Sequence, residues 1–199
     1  FNSIVNMTKY SYIERIHHAA LVTYLTSAIP KGIIVSGIVG AGKTTLVTET
    51  LKELKKTYQV FKFSGDDIKF RKHVAEDSQY IFNYVTSVTT RAALIFVDEV
   101  QKTEAVFDAL KYAFDQGGIS FVVSGSNPHY LSTVAKNRLQ RRAEILQLPP
   151  LSLPEILASK GFIQLSDISS IHEMFRNFSL LPEFPSFRFM VEDIRSDLD

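Results

Sequence analysis

Apolar residues in this chain fall into two kinds of pattern, short strand-like runs and longer stretches with helical spacing. The runs at 33–35 and 93–97 are unbroken, which is typical of parallel strands that are buried on both faces. The segment 60–63 alternates apolar and polar residues and predicts a strand with one wetter face. Together with two further segments, at 119–124 and 145–148, the pattern predicts five strands.

Helices are predicted where apolar residues recur three or four positions apart. The clearest one spans 45–58, where Val47, Leu51, Leu54 and Tyr58 share one face. Because strands and helices alternate along the chain, we expect an α/β fold. Further helices are predicted at 10–28, 78–90, 104–116, 130–142, 153–161 and 167–178, whereas 68–77 shows no clear pattern.

The same patterns divide the chain into three parts. Residues 1–9 are a loose leader, residues 10–150 hold the alternating core, and residues 151–199 form a helical extension and a tail. Ser152 and Glu155 have the spacing of a capping box, which predicts the start of a helix in the extension. The tail is rich in Pro and Phe, so we expect it to lead into a further C-terminal domain.

Composition narrows the class of protein. The 199 residues are 45% hydrophobic and 22% charged, as in an ordinary soluble globular protein. The net charge of +1 gives no bulk electrostatic reason for binding nucleic acid or an acidic membrane. Cysteine is absent, which excludes disulfides and cysteine-based zinc sites. No apolar run approaches membrane-spanning length and no signal peptide is recognised, so we expect a cytoplasmic protein without a membrane partner.

A glycine-rich stretch lies between the first predicted strand and the helix that follows it. Residues 37–44 read G-x-x-x-x-G-K-T, the phosphate-binding P-loop. Glycine lets backbone N–H groups point inward, and the helix start adds unpaired N–H groups and the positive end of the dipole. Such a nest suits the β-phosphate of a nucleotide. The predicted nucleotide-binding residues are Gly37, Val39, Gly40, Ala41, Gly42, Lys43, Thr44 and Thr45.

Two acidic residues end the buried run 93–97. Asp98 and Glu99 come where this strand leaves the sheet, and parallel α/β sheets bind ligands at the carboxyl ends of their strands. We interpret the pair as a Walker B segment. Asp98 and Thr44 are expected to hold Mg²⁺, Lys43 to reach the β- and γ-phosphates, and Glu99 to orient the attacking water.

Polar residues also follow the strand at 119–124. In ATPases of this layout, a side chain at this place contacts the γ-phosphate or the attacking water, and Ser124 or Ser126 is a candidate for that sensor. An ordinary capped loop explains the segment equally well, because Asn127-Pro128 is a common turn start.

Other charged residues carry weaker signs of function. Asp66 and Asp67 are interpreted as turn residues rather than as groups of an active cleft. Arg15, in the first predicted helix, is expected to be a solvated arginine rather than a contact to a nucleotide base. The five histidines have no metal-ligand spacing.

In order and spacing, these motifs resemble those of the prokaryotic AAA-type ATPases with DEXQ, GSN, GR and PLSF motifs, which are related to the STAND NTPases. The resemblance covers about residues 10–160. It implies a P-loop NTPase fold of the ASCE/AAA-like type: a three-layer sandwich with a five-stranded parallel sheet of order 5-1-4-3-2 and a small helical extension. It also implies ATP or ADP and Mg²⁺ as ligands. It does not determine whether the protein forms a homo-oligomer. The segments that carry it are Gly37 to Leu46, Phe96 to Gln101, Val123 to Asn127, Asn137 to Arg142 and Leu148 to Ser152.

The resemblance also adds two arginines to the candidate site. Arg142 matches the Gly-Arg arginine of the family and Arg138 an upstream arginine, but Arg141 stands where the family has glycine. From a neighbouring subunit, either could stabilise transition-state charge. The basic cluster from Lys136 to Arg142 is equally well explained as a solvated basic surface or as a contact to the phosphate backbone of DNA. A contact to a protein partner is a further alternative for this cluster.

Three functional hypotheses follow. The leading one is Mg-dependent ATP hydrolysis that drives a conformational change in a larger protein. The second is a slow, STAND-like nucleotide switch or scaffold, and the third is a DNA-associated regulatory module. An N-K-x-D motif is absent, which argues against a GTPase, and Glu99 argues against a small-molecule kinase. The predicted catalytic residues are Glu99, Lys43, Ser124, Ser126, Arg138 and Arg142.

Overall fold

The computed structural model describes residues 12–161 and residue 164. One sheet of five strands forms its centre, and every strand pairing is parallel. The strands are β1 (Gly32–Ser36), β2 (Gln59–Ser64), β3 (Ala93–Asp98), β4 (Ser120–Gly125) and β5 (Ala143–Gln147). They lie in the order β2-β3-β4-β1-β5, which is the expected order 5-1-4-3-2 read in the opposite direction. The predicted α/β class and strand order are therefore confirmed.

Helices connect and flank these strands. None of the helices in the described part of the chain is long and apolar enough to cross a bilayer. They are α1 (His17–Leu25), α2 (Lys43–Leu54), α3 (Ile68–Glu76), α4 (Tyr80–Val88), α5 (Ala105–Gly117), α6 (Pro128–Val134) and α7 (Leu153–Ser159). A 3-10 turn, Val100–Lys102, follows β3, and a π-helix, Ala135–Leu139, continues α6.

The sheet lies between two helical layers, as β3 illustrates. Leu94 and Phe96 belong to the core cluster on the side of α1 and α2. Ile95 and Val97 belong to the cluster on the side of α3, α4 and α5. Because successive side chains of a strand point to opposite faces, a strand covered on both faces needs an apolar residue at every position. This explains the unbroken apolar run of β3.

Helix α3 arises in the stretch where the sequence shows no clear pattern. Asp67 is its N-cap, because its carboxylate accepts hydrogen bonds from the N–H groups of Lys69 (2.8 Å) and Phe70 (3.3 Å). The buried side of the helix consists of Phe70 and Val74, a single pair four residues apart. Ile68 and Ala75 of the same helix are exposed, so the two buried positions are too few to produce a recognisable period. Asp66 lies in the turn before the cap, as expected.

Three predicted helices differ in extent from the structure. The helix expected at 45–58 ends at Leu54, so Tyr58 lies beyond it, just before β2. The helix expected at 10–28 begins at His17, and residues 12–15 are not helical. The helix expected at 130–142 begins earlier, after the N-cap Asn127, and ends as the π-helix.

The capping box that opens α7 is confirmed. Ser152 Oγ accepts from the N–H of Glu155 at 3.4 Å, and the Glu155 carboxylate accepts from the N–H of Ser152 at 2.8 Å. The leader 1–9, the helix predicted at 167–178 and the rest of the tail lie outside the described residues. The division of the chain at residue 150 stays a prediction.

Candidate nucleotide-binding site

Four strands bring polar groups to one edge of the sheet. Because the strands are parallel, the carboxyl ends of β1, β2, β3 and β4 lie together, and the glycine-rich loop follows β1 there. Asp98 ends β3, and Ser124 lies near the end of β4. This edge is therefore where the structure collects the predicted site residues.

The glycine-rich loop has the backbone that its sequence predicts. Gly42 has φ 84° and is the N-cap of α2, a left-handed conformation that suits glycine. Gly37 is needed for space, because an added Cβ would lie 2.3 Å from the carbonyl oxygen of Leu148. The backbone therefore accommodates the sharp turn from β1 into α2, whose first N–H groups face the loop.

Lys43 lies folded against this loop. Its Nζ atom donates to the carbonyl oxygens of Gly37 (3.0 Å) and Ile38 (2.8 Å), and the residue is 6% exposed. The ammonium group is thus held by backbone carbonyl groups of the loop. The side chain of Lys43 is flexible, so it can reach other groups near the loop.

Asp98 joins three elements through its two carboxylate oxygens. Oδ2 accepts from the Thr44 hydroxyl at 2.8 Å. Oδ1 accepts from the Ser124 hydroxyl and from the N–H of Glu99, the latter at 3.0 Å. The carboxylate therefore connects α2, β3 and β4 at the strand ends. The predicted metal ligands Thr44 and Asp98 are brought together, and Ser124 lies beside them.

Glu99 has a constrained backbone. Its φ is 51°, in the left-handed region that non-glycine residues seldom adopt. Gly65, in the loop after β2, packs against it, because an added Cβ there would be 2.2 Å from the Glu99 carbonyl oxygen. The Glu99 carboxylate accepts a hydrogen bond from the Gln101 amide, which also donates to Ser126 Oγ. Ser126 is thus linked to Glu99 through the Gln101 amide, whereas Ser124 contacts Asp98 directly.

The two predicted arginines lie on the outer surface of α5 rather than at the glycine-rich loop. Arg138 pairs with Glu104 (3.0 Å) and Asp108 (2.6 Å). Arg142 makes a two-pronged pair with Asp115, at 2.6 and 2.8 Å, and these hydrogen bonds hold the pKa of Asp115 below its ordinary value. Their roles in catalysis stay predictions.

The backbone at Arg141 suits the glycine that the family pattern has at this position. Its φ is 52°, so the backbone takes a conformation that glycine adopts without strain. The backbone at Arg141 is therefore one in which the glycine of the family pattern would be unstrained.

Arg15 is the largest departure from the sequence interpretation, because it is not solvated. It is 3% exposed, and its guanidinium pairs with Glu155 at 2.8 Å. It also donates to the carbonyl oxygens of Ala41 and Pro149, each at 2.7 Å. The arginine thus ties the glycine-rich loop to the segment before α7. No local pattern marks this contact, because Glu155 lies 140 residues further along the chain.

The buried carboxylate of Glu155 stays ionised in this setting. Burial opposes its charge, but hydrogen bonds from Ser152, Arg15 and the N–H of Ile16 outweigh it and lower the pKa of Glu155. The N–H of Ile16 donates at 3.1 Å, just before the first turn of α1. The contact also explains the non-helical residues that precede α1.

A cavity of about 280 Å³ opens beside the glycine-rich loop. Its walls include Ile13 and Leu151, with Glu49 and Tyr12 as polar groups. A larger cavity, of about 480 Å³, lies at the amino ends of the strands, at Pro30 and Gly118. That end has no glycine-rich loop, so the smaller cavity belongs to the candidate site.

The fold and this edge of the sheet define a nucleotide-binding P-loop domain of the ATPase type. The model of the AAA domain family AAA_14 matches residues 30–157, more than half of the chain. The chain therefore belongs to this AAA domain family, as its motifs predict. Comparison with curated proteins found no match. The relation to STAND proteins and a C-terminal domain stay predictions.

Two solved structures show the same fold. AMPPCP-bound DnaA from Aquifex aeolicus is 18% identical, with a TM-score of 0.52, over 75% of this chain and 52% of the DnaA chain. Hsp104 of S. cerevisiae, in an extended complex with casein, is 17% identical, with a TM-score of 0.53, over 77% of this chain and 30% of the Hsp104 chain. The chain thus spans about half of the DnaA chain and less of Hsp104.

Proposed function

We propose that this domain binds ATP with Mg²⁺ and hydrolyses it. The observation that carries the proposal is the Asp98 carboxylate, which contacts both Thr44 and Ser124 at the strand ends. Glu99 follows it directly. Membership of the AAA domain family and the nucleotide analogue in the DnaA structure support the same conclusion.

The loop residues would bind the phosphates. Backbone N–H groups of residues 37–45 and the start of α2 would surround the β-phosphate. Lys43 needs to exchange the carbonyl oxygens of Gly37 and Ile38 for phosphate oxygens, a short movement of a flexible side chain. The cavity lined by Ile13 and Leu151 would receive the base.

The oxygen atoms of Thr44 and Asp98 fit a Mg²⁺ site. They are hard ligands that lie within 2.8 Å of each other. Within residues 12–161 and 164, no group of three or more His, Asp or Glu side chains forms a metal site. Phosphate and water oxygens would therefore complete the coordination. When bound, the ion would neutralise charge on the β- and γ-phosphate oxygens.

Glu99 would orient the attacking water and accept its proton. Ser126, which shares the Gln101 amide with Glu99, would contact the γ-phosphate or that water, and Ser124 would hold Asp98 in place. Lys43 would take up charge that develops on the transferred phosphoryl group.

Steady-state phosphate release with Mg-ATP tests the proposal. We expect Glu99→Gln to bind ATP but to release at most about a hundredth of the native phosphate, since a positioned base contributes about 10² to 10⁴ in rate. Lys43→Ala is expected to lose nucleotide affinity. Native protein that binds ATP without turnover at any protein concentration would contradict hydrolysis.

The slow nucleotide switch is the second candidate, and the α5 ion pairs favour it. Arg138 and Arg142 are engaged by carboxylates of their own chain, so a role in a neighbouring site requires that these pairs open. Specific activity that rises with protein concentration would indicate a homo-oligomer with a shared arginine. The same pairs engage two of the four cations of the basic cluster with three carboxylates, which weakens the case for DNA.

A further inference from the structure

The side-chain amide of Gln101 lies between two groups of the candidate site. Its Nε2 atom donates to Glu99 Oε2 and to Ser126 Oγ, the latter at 3.1 Å. An ionised carboxylate can only accept hydrogen bonds, so the amide nitrogen rather than its oxygen must face Glu99. The charged partner therefore fixes which way the amide points.

The opposite end of the same amide is held by packing. Gln101 Oε1 is buried, and no hydrogen bond to it occurs within the described residues. It lies over Gly125 at the end of β4, where an added Cβ would be only 2.4 Å away. A buried acceptor without a partner is costly, and such groups in native proteins call for an explanation. A role in holding Glu99 is such an explanation.

Glu99 has little freedom apart from its side-chain torsions. Its left-handed backbone is enclosed by Gly65 on the carbonyl side, and its N–H donates to Asp98 Oδ1 at 3.0 Å. Residues held in such sparsely populated conformations cluster at functional sites. With the backbone held, the Gln101 amide determines where one of the two carboxylate oxygens lies.

We propose that Gln101 is a positioning residue that couples the loop after β4 to the Glu99 carboxylate. By holding Oε2, it leaves Oε1 of Glu99 free to face the attacking water. Because the same nitrogen bonds Ser126, a displacement of Ser126 on contact with a phosphate moves the Glu99 carboxylate as well. This inference rests on the proposed hydrolysis.

A kinetic experiment tests the positioning. Gln101→Met keeps the length of the side chain but removes the donor, and Gln116→Met makes the same change at an exposed position on α5. We expect Gln101→Met to lower kcat about tenfold or more while KM for ATP stays within about threefold, because the lost interaction acts on the reacting water rather than on bound nucleotide. Gln116→Met should match the native protein.

Three kinetic results would overturn the inference. They are an unchanged kcat in Gln101→Met, a rise in kcat, and a loss of nucleotide affinity that parallels the loss of rate. An unchanged kcat would mean that Glu99 is positioned without Gln101. A higher kcat would mean that Gln101 holds Glu99 in a less active position. A parallel loss of affinity would mean that the glutamine serves folding alone.

A second measurement is independent of turnover. With ¹³C-labelled glutamate, the Glu99 carboxyl resonance is assigned by its absence in Glu99→Gln. We expect Ser126→Ala to shift this resonance in the native background and to leave it unmoved in Gln101→Met. Equal shifts in both backgrounds would contradict coupling through the amide. The expected shifts in a protein without turnover would support the coupling and count against hydrolysis instead.

Discussion

The arginines of this domain lie in two contrasting settings. Arg15 is buried beneath the glycine-rich loop, where it contacts Glu155 and the carbonyl oxygens of Ala41 and Pro149. Arg138 and Arg142 lie on the surface of α5, where each pairs with carboxylates that water also reaches. The sequence interpretation gave the surface pair the functional role and the buried arginine none.

From this contrast we expect burial, rather than the number of ion pairs, to decide how much each arginine contributes to stability. Loss of one partner from a buried pair leaves a charge without compensation, at a cost of about 3–5 kcal/mol. An exposed pair is typically worth about 0–1 kcal/mol, because water and salt replace it. The buried arginine also fixes a backbone carbonyl of the loop, so its loss reaches the nucleotide site.

The largest expected effect is that of Arg15→Ala. It should lower the free energy of unfolding by about 3–5 kcal/mol, because Glu155 is left charged and buried without its partner. Urea unfolding at pH 7 measures it, with Arg138→Ala as the exposed control. A loss below about 1 kcal/mol would contradict the contrast between the two settings.

The pH dependence of stability provides a second test of the buried pair. The pKa of Glu155 is lower in the folded protein, so its contribution is fully present above the pKa of an unfolded glutamate, about 4.3. It is lost as pH falls below that value through the folded pKa. The unfolding free energy of the native protein should therefore fall more steeply below about pH 4 than that of Glu155→Gln. Parallel curves would show that the carboxyl titrates normally.

The surface arginines should have smaller, salt-dependent effects. Arg138→Ala and Arg142→Ala are each expected to lower stability by at most about 1 kcal/mol at low salt, and less in 1 M NaCl, because ions screen exposed pairs. Unfolding curves at both salt concentrations measure this. A larger loss that salt does not change would show that these pairs are shielded from water.

The smallest expected effect has the opposite sign. Arg141→Gly should raise stability by about 0.5–1 kcal/mol, because glycine removes the left-handed strain while losing some entropy on folding. Arg141→Ala, which keeps the strain, should not stabilise. Lys136→Gly, in the π-helix, is the matched control and should destabilise by up to about 1 kcal/mol.

The parts of the fold that could be predicted are those with a local signal. The glycine-rich loop and the Walker B carboxylates are short motifs, and the apolar run of β3 follows from its two covered faces. The strand order came from the family resemblance, because pairing between distant strands leaves no periodic trace. Helix α3 could not be predicted from the apolar pattern, because its buried side has only two residues.

The site was less predictable where its contacts cross the chain. Thr44, Asp98 and Ser124 could be assigned to one edge, because parallel strands bring their ends together. Arg15 and Glu155 could not be paired, since the partners lie 140 residues apart and each has an ordinary local role. The role proposed for Gln101 depends on Gly125, at the end of β4, and on Ser126, which follows it. Neither residue is near Gln101 in the sequence.

The alternation along β3 limits how the length of this chain can vary. Consecutive residues of the strand serve different cores, so the deletion of one residue would exchange the two sets of apolar side chains between layers. It would also rotate Asp98 to the far side of the sheet, away from Thr44. An insertion or deletion in the turns around α3 and α4 would leave the sheet register unaffected, whereas one within β3 would not.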